Sequence, residues 1–268
     1  MLFIQKYVKL NLVSRFQLIS DEGFRIDGRR ANELRPVTAK LGVLPNADGS
    51  ASYEAGGTRL IAAVFGPHDV SSAAGGRGSG GGSGSNVQSD ACVVQCHCNF
   101  AAFSQTEHRS SRTDRKAYAL ADCLSQVFRG GATIHVHLYR GCQIDINIQV
   151  LEADGAVLAA AFNAASLALV DAGIAMSCMP AAASAALAAS QAPLMDPTNQ
   201  EENSAGSWLD VVLDPPSGSF LYVGLGSRLH RDQLEPLLEA SAKATSQTHS
   251  VLADIVRNHI AQTISTNE

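Results

Sequence analysis

The chemistry in this sequence gathers around Leu151–Gly173, LEADGAVLAAAFNAASLALVDAG, where a strand-like run turns on Ala153, Asp154 and Gly155 into an alanine-rich helix. A fresh helix N-terminus behind a glycine turn leaves backbone N–H groups unpaired and aimed at one spot, beside the positive end of the helix dipole. That is an anion site in outline. Holding inorganic phosphate as a reactant also calls for a charged, forked donor, and arginine is the natural one. Here Gly155 is followed by Ala156, Val157 and Leu158, so the backbone scaffold is present without its side-chain chemistry.

Two other groups of residues have chemical potential. Asp196, Glu201 and Glu202, in LMDPTNQEEN, form a close carboxylate cluster. Two such groups converging on one Mg²⁺ would serve phosphoryl chemistry, and an acidic surface loop is the plainer account. Upstream, the loop Ser104–Asp114 carries His108, Arg109 and Arg112 and runs into a helix whose first turn holds Arg115 and Lys116. The dipole disfavours cations there, so a basic first turn makes sense in front of an external anion; the alternative is two solvated side chains lying on their aliphatic stems. Metal readings elsewhere fail on geometry. Cys96, His97 and Cys98 alternate between opposite strand faces, and His135 and His137 share a face without a third ligand.

These groups need elements to position them. Residues 21–36 form a polar arm in which Arg25, Arg29, Arg30 and Arg35 either make surface salt bridges or face RNA. Thr38–Leu44, Gly49–Glu54 and Thr58–Phe65 read as an antiparallel meander, and Ser71–Ser85 as a flexible Gly/Ser loop. Cys92–Phe100 alternates as a strand, with Cys92, Val94, Cys96, Cys98 and Phe100 on one face. The next helix turns Ala117, Leu120, Ala121, Leu124, Val127 and Phe128 inward. Thr133–Tyr139 and Cys142–Val150 are expected to pair as a hairpin. After the central helix, Ala181–Ala189 is apolar, and Trp208–Leu213 pairs with Phe220–Gly226 across a Pro-Pro-Ser-Gly turn. A long helix starts near Asp232, where Asp232 and Glu235 make a capping box; Leu234, Leu237, Leu238, Val251, Leu252, Ile255, Val256 and Ile260 are its inward stripe.

Bulk properties narrow the classes. A chain of 268 residues, 46% hydrophobic, can bury one large core, and its net charge of −5 argues against a polyanion binder that uses the whole surface. The six cysteines sit in periodic apolar segments and read as reduced core thiols. Apolar runs are broken by polar residues, as at Asn163, Ser166 and Asp171, so no membrane partner is expected. Residues 1–20 read as an extension, basic enough to resemble a transit peptide but without a clean helical stripe. A single domain is expected over residues 21–264, with a flexible loop at 71–90.

Taken together, SDEGFRIDGRRANELRP, YEAGGTRLIAAVFGP, CNFAAFS, the basic loop ending in DRK, the ADG turn, NAASLALVDAGI and LMDPTNQEEN resemble the ribonuclease PH family, and most closely its ring subunits in the RNA exosome. The resemblance implies an α/β fold of two βαβα-like halves with mixed sheets and packed helices. It also implies a pocket in which phosphate attacks an RNA 3′ end, with phosphate held by a Thr-Arg or Arg-Ser pair where this chain has Val157 and Leu158. The aspartate pair that assists through a metal corresponds to Asp196 and Glu202, and a basic pair along the RNA path corresponds to Arg115 and Lys116, with Arg112 nearby. On this resemblance the expected protein is a non-catalytic ring subunit of nucleus, nucleolus and cytoplasm, in which Gly155, Ala156, Val157 and Leu158 form a vestigial phosphate site and Asp196 and Glu202 are vestigial too. It would need no cofactor or metal. Its partners would be other ring subunits, RNA-binding cap subunits, a hydrolytic 3′-to-5′ exoribonuclease and single-stranded RNA. The alternative is an active phosphate-dependent 3′-to-5′ exoribonuclease.

Overall fold

Strand alternation and one largely apolar helix generate two sheets that share a core. The computed structural model describes residues 19–20, 22–69, 92–105, 114–130, 133–187, 193–204 and 207–267. The Gly/Ser tract and the loop containing His108, Arg109 and Arg112 lie outside the described residues. Strands β1 (Val37–Leu41), β2 (Gly49–Ala55) and β3 (Thr58–Asp69) form the expected meander. β4 (Val93–Phe100), helix α1 (Arg115–Arg129) and β5 (Cys142–Glu152) follow, giving a five-stranded sheet of order β1-β2-β3-β5-β4 in which β4 and β5 run parallel. Helix α2 (Val157–Asp171) leads to the second sheet. There β6 (Ala181–Leu187), β7 (Pro193–Met195), β8 (Ser207–Asp214) and β9 (Ser219–Leu225) pair antiparallel in the order β7-β6-β8-β9. The short helix α3 (Asn199–Ser204) precedes β8, and α4 (Arg231–Asn267) closes the chain.

α2 lies between the sheets, against β2 and β3 on one side and β6 on the other, and is buried from Ala159 to Leu169. Its alanines let backbones approach closely. A Cβ on Gly49 of β2 would stand 2.3 Å from the Ala172 nitrogen, so only glycine fits there. The polar breaks in α2 all find partners, as burial demands. Asn163 donates to the Ala182 carbonyl (3.0 Å) and accepts the Ala182 N–H (2.8 Å), Ser166 Oγ meets the Phe162 and Pro180 carbonyls, and Asp171 accepts the Ser50 N–H. β6 is buried along its whole length because α4 covers its other face.

Two expected elements differ. Thr133–Tyr139 is not a hairpin strand: Ile134 bridges Met176, Val136–Leu138 is one 3₁₀ turn, and both edges of β5 are already taken by β3 and β4. A strand has two edges, so no place is left for a third neighbour. Within α4, Leu237 and Leu252 of the expected stripe are buried, together with Ala240 and Ala244, whereas Val251 and Ile260 are exposed. At 1.5 Å per residue α4 is about 55 Å long, enough to cover β6 and, with its C-terminal part, to reach β1 of the first sheet, where Ile255 and His259 lie beside Lys40 and Leu41. The six cysteines are free thiols, and burial pushes Cys96 up to about 12, which makes it inert.

Candidate functional site

The α2 N-terminus is assembled from three separate segments. Thr58 Oγ accepts the Asp154 N–H (3.1 Å) and donates to the Gly155 carbonyl (2.8 Å), tying the turn to β3. Gly155 has φ +78°, and a Cβ there would stand 2.4 Å from the Pro197 carbonyl oxygen. This glycine therefore permits both the turn and the close approach of the 196–202 loop. Ala156 is the N-cap residue in the left-handed region and offers no side-chain cap. Its N–H is taken by Glu202, whose Oε1 accepts it at 2.6 Å. Burial, with the Asp210 charge adding to it, pushes the Glu202 carboxyl up to about 7; the Ala156 N–H, Arg35 and Lys116 pull the other way. Val157 and Leu158, in the first turn, are half-buried and pack on the main core. The enclosed space among Arg35, Asp196, Ala156 and Asn163 is about 20 Å³. That admits one water at most, whereas a cleft of about 630 Å³ borders the same turn along Ser104, Ala153, Asp154 and Asn199.

The arm's four arginines divide: Arg29 pairs with Asp27 near the surface and Arg30 is exposed, while the other two turn inward. Arg25 and Arg35 are buried, neither surface salt-bridge partners nor open to RNA. Arg35 clasps Asp196 with both ends of its fork: Nε donates to Oδ2 (2.9 Å) and Nη2 to Oδ1 (2.6 Å), while the Arg35 backbone N–H adds a third bond at 3.0 Å. It also donates to the Asp154 carbonyl at 2.6 Å, so its direct bond to the turn is on the carbonyl side. Arg25 pairs with Glu201, and its Nη1 donates to the Met195 carbonyl. Burial raises the Glu201 carboxyl, but the bonds from Arg25 and the Thr198 N–H outweigh it and hold the group below the usual carboxylate range. Arg29 reaches Asp27 and the Asp196 carbonyl.

The three carboxylates of LMDPTNQEEN therefore do not converge. Glu201 faces Arg25, Asp196 faces Arg35 and Glu202 faces the α2 N-terminus. A divalent cation does not fit Asp196, because three of its roughly four lone-pair sites are committed to Arg35 and the guanidinium itself would repel the ion. Among the described residues no cluster of three His, Cys, Asp or Glu side chains is placed to hold a metal. His135 and His137 meet edge-on with ring centres 5.3 Å apart, and His135 Nδ1 lies 3.3 Å from Ser177 Oγ.

α1 starts differently. Arg115 and Lys116 are exposed, and Asp114 caps the helix by accepting the Lys116 N–H at 3.0 Å. That cap offsets part of the dipole penalty the sequence assigned to a basic first turn. Lys116 is near enough to Glu202 to lower its pKa, so the basic start of α1 and the start of α2 border one region. Arg112 lies outside the described residues. Sequence reasoning missed Asp210 on β8, which accepts a short hydrogen bond from Ser184 on β6 and which burial pushes up to about 6. Its signal was a lone carboxylate inside the apolar run of β8.

Known proteins resemble this chain along most of its length. Residues 33–175 match the model for domain 1 of the 3′ exoribonuclease family (RNase PH), and residues 178–244 match domain 2. The chain is 42% identical over 247 residues to exosome complex component RRP41 of Mus musculus, covering 92% of this chain and 96% of that one. It is 30% identical to exosome complex component ski6 of Schizosaccharomyces pombe over 91% of this chain and 96% of that one. Among solved structures, an Archaeoglobus fulgidus exosome with RNA bound to the active site superposes with a TM-score of 0.71 at 19% identity, over 85% of this chain and 92% of that one. Rice Rrp46 superposes with a TM-score of 0.70 at 20% identity, over 85% and 98%. These two likenesses establish the fold.

Proposed function

The chain belongs to the RNase PH family of 3′ exoribonucleases, and from that premise we propose that it is a non-catalytic ring subunit of an RNA exosome. What supports the loss of chemistry is the start of α2. Val157 and Leu158 stand where the family resemblance calls for the phosphate-holding pair, and Arg35, the arginine that reaches this turn, is spent on Asp196. Losing charge-assisted bonds of about 1.5–3 kcal/mol each removes most of the binding of an attacking phosphate.

RNA contact is a separate matter. Arg115 and Lys116 are exposed beside the same region, as a path for single-stranded RNA requires, and the A. fulgidus relative carries RNA in its active site. In this reading Arg112, Arg115 and Lys116 line a channel in a ring of related chains, beneath RNA-binding cap subunits. The RNA passes on to a hydrolytic 3′-to-5′ exoribonuclease, for ribosomal RNA processing and RNA decay in nucleus, nucleolus and cytoplasm. Native purification followed by mass identification tests ring membership. The expected result is co-elution with other RNase PH-like chains and cap subunits; recovery as a lone monomer from cells would contradict it.

A further inference from the structure

Glu202 comes from a segment 46 residues downstream of Ala156, yet its carboxylate lies 2.6 Å from the Ala156 N–H. Ala156 has no side chain to cap α2, and the first turn of α2 contains no acid. A partly buried helix start with orphan donors requires an acceptor, and the chain supplies one from elsewhere. What the carboxylate receives there, a short charge-assisted hydrogen bond at the positive end of a 15-residue helix, is what an oxyanion would receive. Two anions cannot share that place, and Asp210 of β8, which also acts on Glu202, adds to the repulsion. Arg35 from the arm and Lys116 from α1 are the cations facing Glu202, and Arg35 is already neutralised by Asp196.

Side-chain length is part of the device. Where the family resemblance expects an aspartate, glutamate adds one methylene, about 1.5 Å of reach. On the same backbone a shorter carboxylate would sit about 4 Å from the Ala156 N–H, outside hydrogen-bonding distance.

We propose that Glu202 is a built-in anion that occupies the phosphate position at the start of α2, so that phosphate is excluded twice, by the missing arginine and by the resident carboxylate. This inference rests on the reading of the turn as a former phosphate site. It follows that an arginine placed at position 158 pairs with Glu202 and gains no phosphate.

The test uses the full chain in four forms: unchanged, Leu158→Arg, Glu202→Asp, and both together. Each is titrated with inorganic phosphate by calorimetry at about pH 8 and constant ionic strength, where Glu202 is ionised. Saturable binding is expected in the double variant, at least about tenfold tighter than in Leu158→Arg alone. Equal affinity in Leu158→Arg and the double variant overturns the role of Glu202 and leaves the inert-subunit reading intact, as does no saturable binding in any form. Saturable binding by the unchanged chain overturns both. A second measurement needs no altered pocket: the Ala156 amide resonance of the unchanged chain should titrate with a midpoint at about 7, and lose that titration in Glu202→Gln. An Ala156 resonance that is the same at every pH in the unchanged chain and in Glu202→Gln overturns the proposal.

Discussion

α1 begins with Arg115 and Lys116 in solvent behind an Asp114 cap, whereas α2 begins with half-buried Val157 and Leu158 behind a carboxylate brought from residue 202. Both starts carry the same positive dipole end, and they border one region. At α1 one donor is taken by the local Asp114 cap, and the Arg115 and Lys116 side chains stay available to an external polyanion. At α2 the donor is satisfied internally, and the neighbouring arginines are consumed by Asp196 and Glu201. A helix start without a local side-chain cap still needs an acceptor, and at α2 that need is met by a carboxylate brought from residue 202.

The contrast can be broken most forcefully at the arginine clasps behind α2. Glu201→Ala leaves Arg25, fully buried, without its partner, and is expected to cost about 3–5 kcal/mol in urea unfolding. Arg115→Ala, on the exposed start, should stay within about 0.5 kcal/mol. Similar losses from the two would mean the clasp is not buried in solution. Gly155→Ala comes next: a strained φ and a Cβ 2.4 Å from the Pro197 oxygen should cost about 1–3 kcal/mol, measured by the same unfolding curve. A neutral result would show that the turn and the 196–202 loop are not interlocked.

The exposed start is sharpened by charge reversal. Arg115→Glu with Lys116→Glu should leave stability nearly unchanged and weaken RNA crosslinking to the assembled ring. On single-stranded RNA the salt dependence should become shallower by about 0.7 for each phosphate that is no longer neutralised. Unchanged crosslinking would remove α1 from the RNA path. The smallest effect is a pH slope. Burial beside Asp210 holds Glu202 up to about 7, above its unfolded value, so from the ordinary carboxylate range up to pH 7 the folded chain binds more protons than the unfolded one and stability falls as pH rises. Asp210, pushed up to about 6, acts in the same direction lower in that window. Glu202→Gln removes its own share, so its Tm relative to the unchanged chain should improve between about pH 5 and pH 8. A difference constant with pH would contradict the buried position of Glu202.

Local signals in the sequence carried much of the fold. The ADG turn, the alanine-rich run of α2 and the alternation in β4 and β5 were legible because each is decided within a few residues by turn chemistry or burial period. What stayed illegible was long-range. Arg35 and Asp196 are separated by 161 residues and Arg25 and Glu201 by 176, so nothing near either arginine announces that it is buried. Thr133–Tyr139 has a strand-like pattern, but the occupied edges of β5 decided against it. The same holds for Glu202: its spacing suggested a metal-binding partner for Asp196, and only the packing of α3 against the α2 turn directs it to the Ala156 N–H.

The most direct test of the central claim is chemical. Purified protein, alone and in its assembled ring, is incubated with single-stranded RNA, Mg²⁺ and inorganic phosphate, and the products are examined for nucleoside diphosphates. The account predicts none attributable to this chain. Phosphate-dependent release of nucleoside diphosphates that disappears with Asp196→Asn, a change that keeps a partner for Arg35, would contradict it.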